Sequence, residues 1–221
     1  DTREIILSLP EGKDLKFFAG QYLQIITPEK KFPFSIASAP TKQKQIELHI
    51  KPTPESKDSE VIESIIDSSE VLEIEAPLGN CYIEKPPTRP LILLAASTGI
   101  TQMKSIIEFL EPHGFEQETF LYWGVISPND LYLNDLCRTW DGKYSNFHYI
   151  PVVSEPNKSS NWQGRIGLVG EAALQDFNDL SNTNVYVSGS AGMVYATLDS
   201  FIDHGMPEEN MFSDVFSFAP R

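Results

Sequence analysis

Three prolines within seven residues, in "EKPPTRP" at 84–90, interrupt any regular helix or strand and divide the chain into halves with different hydrophobic periods. Before the break, "REIILSL", "QYLQIIT", "QIELHIK" and "VLEIEA" alternate apolar and polar side chains, separated by Gly, Pro and charged turns. That pattern predicts short antiparallel strands closing into a barrel. "DSEVIESIID" interrupts the rhythm: Val61, Ile62, Ile65 and Ile66 fall at helical spacing, with Asp58 or Ser59 able to cap the helix. After the break, "LILLAAS" is apolar throughout, as a strand buried on both faces requires, and "ITQMKSIIEFLEPHG" has helical spacing that ends at Pro112 and Gly114. "TFLYWG", "FHYIPVV" and "NVYVSG" predict three further buried strands, alternating with helices in "NDLYLNDLCRTW", "VGEAALQDF" and "AGMVYATLDSFIDHG". The fold class expected is therefore two domains: an antiparallel β-barrel over 1–86 and an α/β open parallel sheet over 90–221, whose ligands sit at the carboxyl ends of its strands. The chain begins at Asp1, without Met and directly ahead of the first alternation, so a short N-terminal strand is expected to be missing.

Charge and composition exclude several classes of function. Seventeen basic against 31 acidic residues give a net charge of −14, which repels nucleic acid and anionic lipid surfaces. Any anionic ligand needs a local concentration of basic groups. No apolar run approaches the roughly 18 residues of a membrane span, and no signal-peptide layout opens the chain, so neither a nucleic-acid nor a membrane partner is expected and the location expected is cytoplasmic. Cys81 and Cys137 stand far apart without a CxxC pair, which disfavours an iron–sulfur cluster or structural zinc and reads as two buried thiols. The four histidines are scattered, none at i, i+4 spacing, so no metal is expected. There is also no G-x-S-x-G elbow.

Two turns stand out. In "AASTGIT", residues 95–101, small side chains precede a helix N-terminus, which suits a phosphate and equally suits an ordinary tight strand-to-helix turn. "YVSGSAGMV" repeats the style at Ser188–Gly192, and two such turns on one sheet edge make a crevice for an extended dinucleotide. In "KFPFSIASAP", Pro33 cannot donate to a ladder and so marks an edge strand with backbone free for a ligand; Ser35 taken alone is an ordinary surface serine.

The motifs "AGQYLQI", "FPFSIAS", "IELHI", "ASTGIT", "LYWG", "VVSEP" and "MFSDVFSF" occur in an order and spacing that resembles the bacterial NAD(P)H:flavin oxidoreductases, members of the wider ferredoxin–NADP reductase superfamily. The match covers essentially the whole chain. The resemblance implies a flavin reductase that transfers a hydride from NADH or NADPH to a flavin, which is riboflavin, FMN or FAD. It implies flavin contacts at Lys31, Phe32, Pro33, Phe34, Ser35, His49, Ile50 and Phe216, with the Ser35 hydroxyl facing flavin N5 as the catalytic group. It implies pyridine-nucleotide contacts at Ser97, Thr98, Gly99, Thr101, Tyr122, Trp123, Gly124, Glu155, Gly189, Met193 and Asp214, with Asp214 and Phe216 closing the site near the nicotinamide.

The departures from the family pattern are equally informative. Phe32 stands where relatives carry an arginine for the flavin phosphate, leaving Lys30 and Lys31 as substitute point charges; weakly bound, diffusible flavin follows. Ser97 replaces a usual glycine, Gln102 a frequent proline, and "HIKPTPESKDSEV" is longer and more polar than its counterpart. Glu155 follows Ser154 where plant-type NADP enzymes have arginine, which favours NADH. Reduced flavin would pass electrons to ferric iron or an oxygenase. The alternatives are a flavoprotein reductase component serving a protein partner, and, from another class, a non-catalytic nucleotide-binding module.

Overall fold

The computed structural model describes residues 2–41, 44–156 and 161–221. Its first half carries β1 (Arg3–Ser8), β2 (Tyr22–Ile26), β3 (Lys31–Ser35), β4 (Gln45–Ile50), α1 (Lys57–Ser68) and β5 (Ile74–Leu78). The strands form an antiparallel three-stranded sheet in the order β3-β2-β5 and a two-stranded sheet β1-β4. Just beyond Ser35 the chain steps from one to the other: Ile36 N–H donates to Gln21 O at 3.0 Å and Ala37 N–H to Glu47 O at 2.8 Å. Leu23, Ile25, Phe32, Ile36, Ile46, Leu48 and Ile50 fill the space between the sheets, with Ile62 of α1 closing one end. The α1 cap is Ser56, whose side chain accepts from Ser59 N–H, two residues before the expected Asp58 cap and three before the Ser59 alternative; Asp58 and Glu60 occupy the first turn, where the helix dipole favours acids. β3 lies at a sheet edge, where a strand proline is tolerated.

The second half carries β6 (Leu91–Ala96), α2 (Ile100–Leu110), β7 (Thr119–Val125), α3 (Asn134–Lys143), β8 (Phe147–Val153), β9 (Arg165–Ile166), α4 (Val169–Leu174), β10 (Asn184–Ser188), α5 (Ala191–Asp203), β11 (Met211–Phe212) and α6 (Val215–Phe218). All six strands are parallel, in the order β11-β10-β6-β7-β8-β9. The two-residue strands β9 and β11 extend the expected four. Alternate residues of β6 feed opposite layers: Leu91, Leu93 and Ala95 pack with α2 and α3, and Ile92 and Leu94 with α4 and α5. This is why the run reads as continuously apolar. β6 is the switch point of the sheet, since the chain moves to β7 on one side and returns to β10 on the other.

The halves are joined through α2. The first of the two layers takes in Ala19, Cys81 and Ile83 from the barrel side, and both cysteines are buried thiols. Within this contact, buried Lys104 holds Glu47 of β4 at 2.9 Å and Glu108 one turn along the helix, while Ser105 Oγ donates to Ser38 O at 2.8 Å. Burial alone would raise the Glu47 carboxyl, but hydrogen bonds from His49 and Lys104 outweigh it and hold it at about 2. No helix among the described residues is long and apolar enough to cross a membrane.

Candidate active site

The carboxyl ends of β6 and β10 are neighbours in the sheet, so the two small-residue turns meet. A Cβ on Gly99 would stand 2.3 Å from Ser188 O, a backbone atom that cannot yield, so only glycine fits. Ser97 has φ +52°, in the left-handed region that glycine adopts without strain, and Trp123 Nε1–H donates to its carbonyl at 2.9 Å. Ser97–Gly99 form a 3-10 turn that runs directly into α2, and the first amide of α2, at Ile100, bonds to the carbonyls of Ser97 and Thr98.

Facing these turns across the domain contact is β3. Three cavities run along this edge. One of about 450 Å³ is lined by Tyr22, Lys31, Ser35, Gln102, Gly189 and Asp214, and one of about 370 Å³ by Ser35, His49, Thr98, Gly99, Thr101 and Ser190. They share Pro33, Phe34, Ser35, Ser188 and Gly189, so β3 borders both. A third, of about 340 Å³, continues over the sheet and is lined by Gly124, Ile126, Ser154, Leu168, Glu171 and Met193. Lys51 and Ala96 border this one and the second alike. The result is one extended cleft, of the size and partly apolar character of a cofactor site.

Asp214 is placed with care. Its Oδ1 accepts from the N–H groups of Asn80 and Cys81, each at 3.2 Å, and its Oδ2 from Gln102 Nε2 at 3.1 Å. Gly79, at φ +93°, makes the approach possible, because a Cβ there would lie 2.8 Å from Oδ1. Burial raises the Asp214 carboxyl, against the lowering effect of those three donors. The nearby Cys81 thiol is pushed up by its own burial and is an inert core group.

Several residues expected in the site lie elsewhere. Phe32 is 6% exposed and faces the barrel core, on the opposite side of β3 from Lys31, Pro33 and Ser35. Ile50 belongs to the same core. Tyr122 and Trp123 lie under opposite layers of the parallel sheet, Tyr122 bonded to Asp176 at 2.7 Å, and only Gly124 of that motif reaches the cleft. Phe216 packs near Tyr195, and the exposed Phe218 lines the cleft instead. Glu155 is exposed beside Ser154, which does line it. Ser35, Pro33, Phe34, Lys31, His49, Ser97, Thr98, Gly99, Thr101, Gly189, Met193 and Asp214 all border the cleft. His49 borders it with both ring nitrogens engaged, one with Tyr132 Oη at 2.9 Å and the other with Glu47 at 2.7 Å. Tyr22, Lys51, Gln102 and Glu171 were not anticipated as site residues. Lys51 had a readable signal, as the first basic residue after "IELHI".

Among the described residues, three lysines near β3 are already paired: Lys30 with Asp58, Lys31 with Glu75 at 2.6 Å, and Lys51 with Asp130 at 2.7 Å. Glu4, Glu47 and His49 bring ligand-type atoms within 4.8 Å of one another, but the Glu47 carboxylate already holds the Lys104 ammonium.

Residues 1–82 match the model of the oxidoreductase FAD-binding domain and residues 93–199 that of the oxidoreductase NAD-binding domain. A probable flavin reductase of Aliivibrio fischeri is 35% identical over 209 residues, covering 93% of this chain and 88% of the relative. The chain belongs to the NAD(P)H:flavin oxidoreductase family. A CDP-6-deoxy-L-threo-D-glycero-4-hexulose-3-dehydrase reductase of Yersinia pestis is also 35% identical, over 98% of this chain, but the chain spans only 64% of that relative's length. In fold, this flavin oxidoreductase chain superposes on the flavohem-like FAD/NAD binding domain of a Vibrio cholerae nitric oxide dioxygenase with TM-score 0.80 at 16% identity, covering 96% of this chain and 90% of that one.

The donor set fits the ring of a flavin better than its phosphate. The edge strand offers a hydroxyl, prolyl and aromatic surface, and free backbone, whereas Lys30 and Lys31 are neutralised by Asp58 and Glu75.

Proposed function

We propose that this chain catalyses hydride transfer from NADH to a dissociable flavin. The observation that carries the reading is the position of Ser35: on an edge strand, bordering both cavities that open towards the two phosphate-type turns, with no unpaired cation beside it among the described residues to retain a flavin phosphate. Bound flavin supplies the hydride-accepting ring. The protein's part is orientation and electrostatics. Pro33 and Phe34 give the ring a surface, and the Ser35 hydroxyl donates where negative charge develops. The turns at Ser97–Gly99 and Ser188–Ser190 admit the pyridine nucleotide closely, and the positive dipole end of α2 favours its diphosphate. Asp214, as carboxylate, stabilises the positive charge that a nicotinamide gains on losing hydride.

The third cavity supports NADH over NADPH. Its lining holds Glu171 and Asp130, and the one basic side chain that lines it among the described residues, Lys51, is paired. A ribose 2′-hydroxyl can donate to such acids, whereas a 2′-phosphate meets repulsion. Division of labour at residues 86–90, a cytoplasmic setting, and ferric iron or an oxygenase as final acceptor belong to the same proposal. A second reading, a reductase passing electrons to a protein partner, draws on the Yersinia relative and on the 64% of its length that this chain spans.

The test is anaerobic oxidation of NADH, and separately NADPH, during titration with riboflavin, FMN or FAD. We expect saturation with riboflavin, little advantage for FMN, and preference for NADH. Ser35→Ala should lower kcat by about 100-fold with smaller changes in KM, by analogy with loss of an oxyanion-hole donor. No turnover with any added flavin defeats the proposal; a yellow, flavin-retaining preparation would then favour the protein-partner reading.

A further inference from the structure

Gln102 stands in the first turn and a half of α2, is 2% exposed, and borders the cavity that Ser35 and Asp214 share. Its Nε2 faces three acceptors: Gly20 O at 2.8 Å, Cys81 O at 3.2 Å and Asp214 Oδ2 at 3.1 Å. Two N–H bonds are shared among three oxygens, two on barrel-side backbone and one on a carboxylate carried by the far end of the chain. An apolar side chain here would leave all of them buried without this donor, at the desolvation cost of unsatisfied polar groups.

We propose that Gln102 is a positioning residue: its amide ties the Asp214 carboxylate to the barrel backbone, so that the height of this carboxylate over the cleft is set by both domains at once. This rests on the hydride-transfer reading for its consequence, since the carboxylate is what faces the nicotinamide. The amide is neutral, so it orients Asp214 without cancelling its charge, as a lysine at the same place would. The other groups facing Asp214 offer no substitute. Tyr22 of β2 borders the same cavity, the Cys81 thiol is buried, and Lys31 across the cavity is paired with Glu75. Among the three donors, Asn80 and Cys81 both serve Oδ1, which leaves Gln102 to fix the rotation that places Oδ2.

Gln102→Met keeps the volume and removes the donor. Two readouts are needed: the carboxyl ¹³C titration of Asp214 in the ligand-free protein, and kcat and KM for NADH with riboflavin. We expect the Asp214 midpoint to move to higher pH, because a donor to the charged form is lost. We expect kcat to fall about 10- to 100-fold, as for a misplaced group, while KM for NADH stays within about twofold. Because turnover needs the carboxylate, the acid limb of the kcat profile should move to higher pH with the midpoint. In an Asp214→Asn background the same substitution should have no further effect on that limb. An unmoved Asp214 midpoint, or a wild-type kcat and limb, overturns the proposal. If Gln102→Met fails to fold, Gln102→Ser, which admits water in place of the amide, is read by the same two measurements. Wild-type protein that oxidises no NADH with any flavin would instead sink the functional reading, and the ligand-free titration would still decide whether Gln102 positions Asp214.

Discussion

Two residues apart on α2, Gln102 and Lys104 both reach from the parallel-sheet half into the barrel, and both are nearly inaccessible. They differ in charge and in what they hold. Lys104 lies behind the cleft, where it joins Glu47 and Glu108, carboxylates that also bond to His49 and to Ala39 N–H respectively. Gln102 borders the cleft and holds an acid that has to keep its charge available to a ligand. The difference shows how one helix separates two tasks: an ionic contact can hold domains together where no ligand comes, while at the cleft a neutral amide orients without quenching.

The comparison breaks first at Lys104. Lys104→Met takes the ammonium away from buried Glu47 and from Glu108, and removing one partner of such a set costs about 3–5 kcal/mol. Urea unfolding should show that loss, with kcat of the surviving folded protein close to wild type. A loss under about 1 kcal/mol, the size of an exposed pair, would mean that the back of the helix is not the mechanical joint.

Acid sharpens it next. The Glu47 carboxyl is depressed from 4.5 to about 2 in the folded protein. A depressed folded value means that the stabilisation is fully present above pH 4.5 and disappears as pH falls towards 2. The shift corresponds to about 3 kcal/mol between those limits. Wild-type stability measured by denaturant at stepped pH should therefore drop through that window, while Glu47→Gln, weaker at neutral pH, runs flatter and converges with it near the acid end. Parallel curves would remove Glu47 from the joint.

Much of this was legible in the sequence because period and punctuation act locally. "LILLAAS" is apolar throughout because β6 is central and covered on both faces, and the prolines at 86, 87 and 90 fall between β5 and β6. β9 and β11 were not legible, since two residues carry no period. The motifs located the cleft but not which side chains face it. The alternation in β3 could have shown that Phe32 points away from Lys31, Pro33 and Ser35 and into the core. Tyr122 and Trp123 were drawn into the site by their neighbour Gly124, although a strand in mid-sheet offers only its end to a ligand. Gln102 registered only as a departure from proline. Its function depends on carbonyls 82 and 21 residues away, which no local pattern encodes.

The smallest effect concerns the turn opposite β3. Ser97 adopts φ +52° with its carbonyl held by Trp123 Nε1, and its side chain is exposed. A non-glycine residue in the left-handed region costs roughly 1 kcal/mol, and glycine removes that cost while gaining freedom in the unfolded chain that offsets part of it. Ser97→Gly should then stabilise the protein by at most about 1 kcal/mol in thermal or urea unfolding. The Trp123 contact uses backbone, so it survives the substitution, and the turn should keep its shape against Ser188. KM for NADH then stays near wild type, in contrast to the kcat effect expected at Gln102. If KM rises severalfold while stability increases, the Ser97 hydroxyl itself contacts the nucleotide, and the strain at this turn is maintained for a side chain rather than tolerated in spite of one.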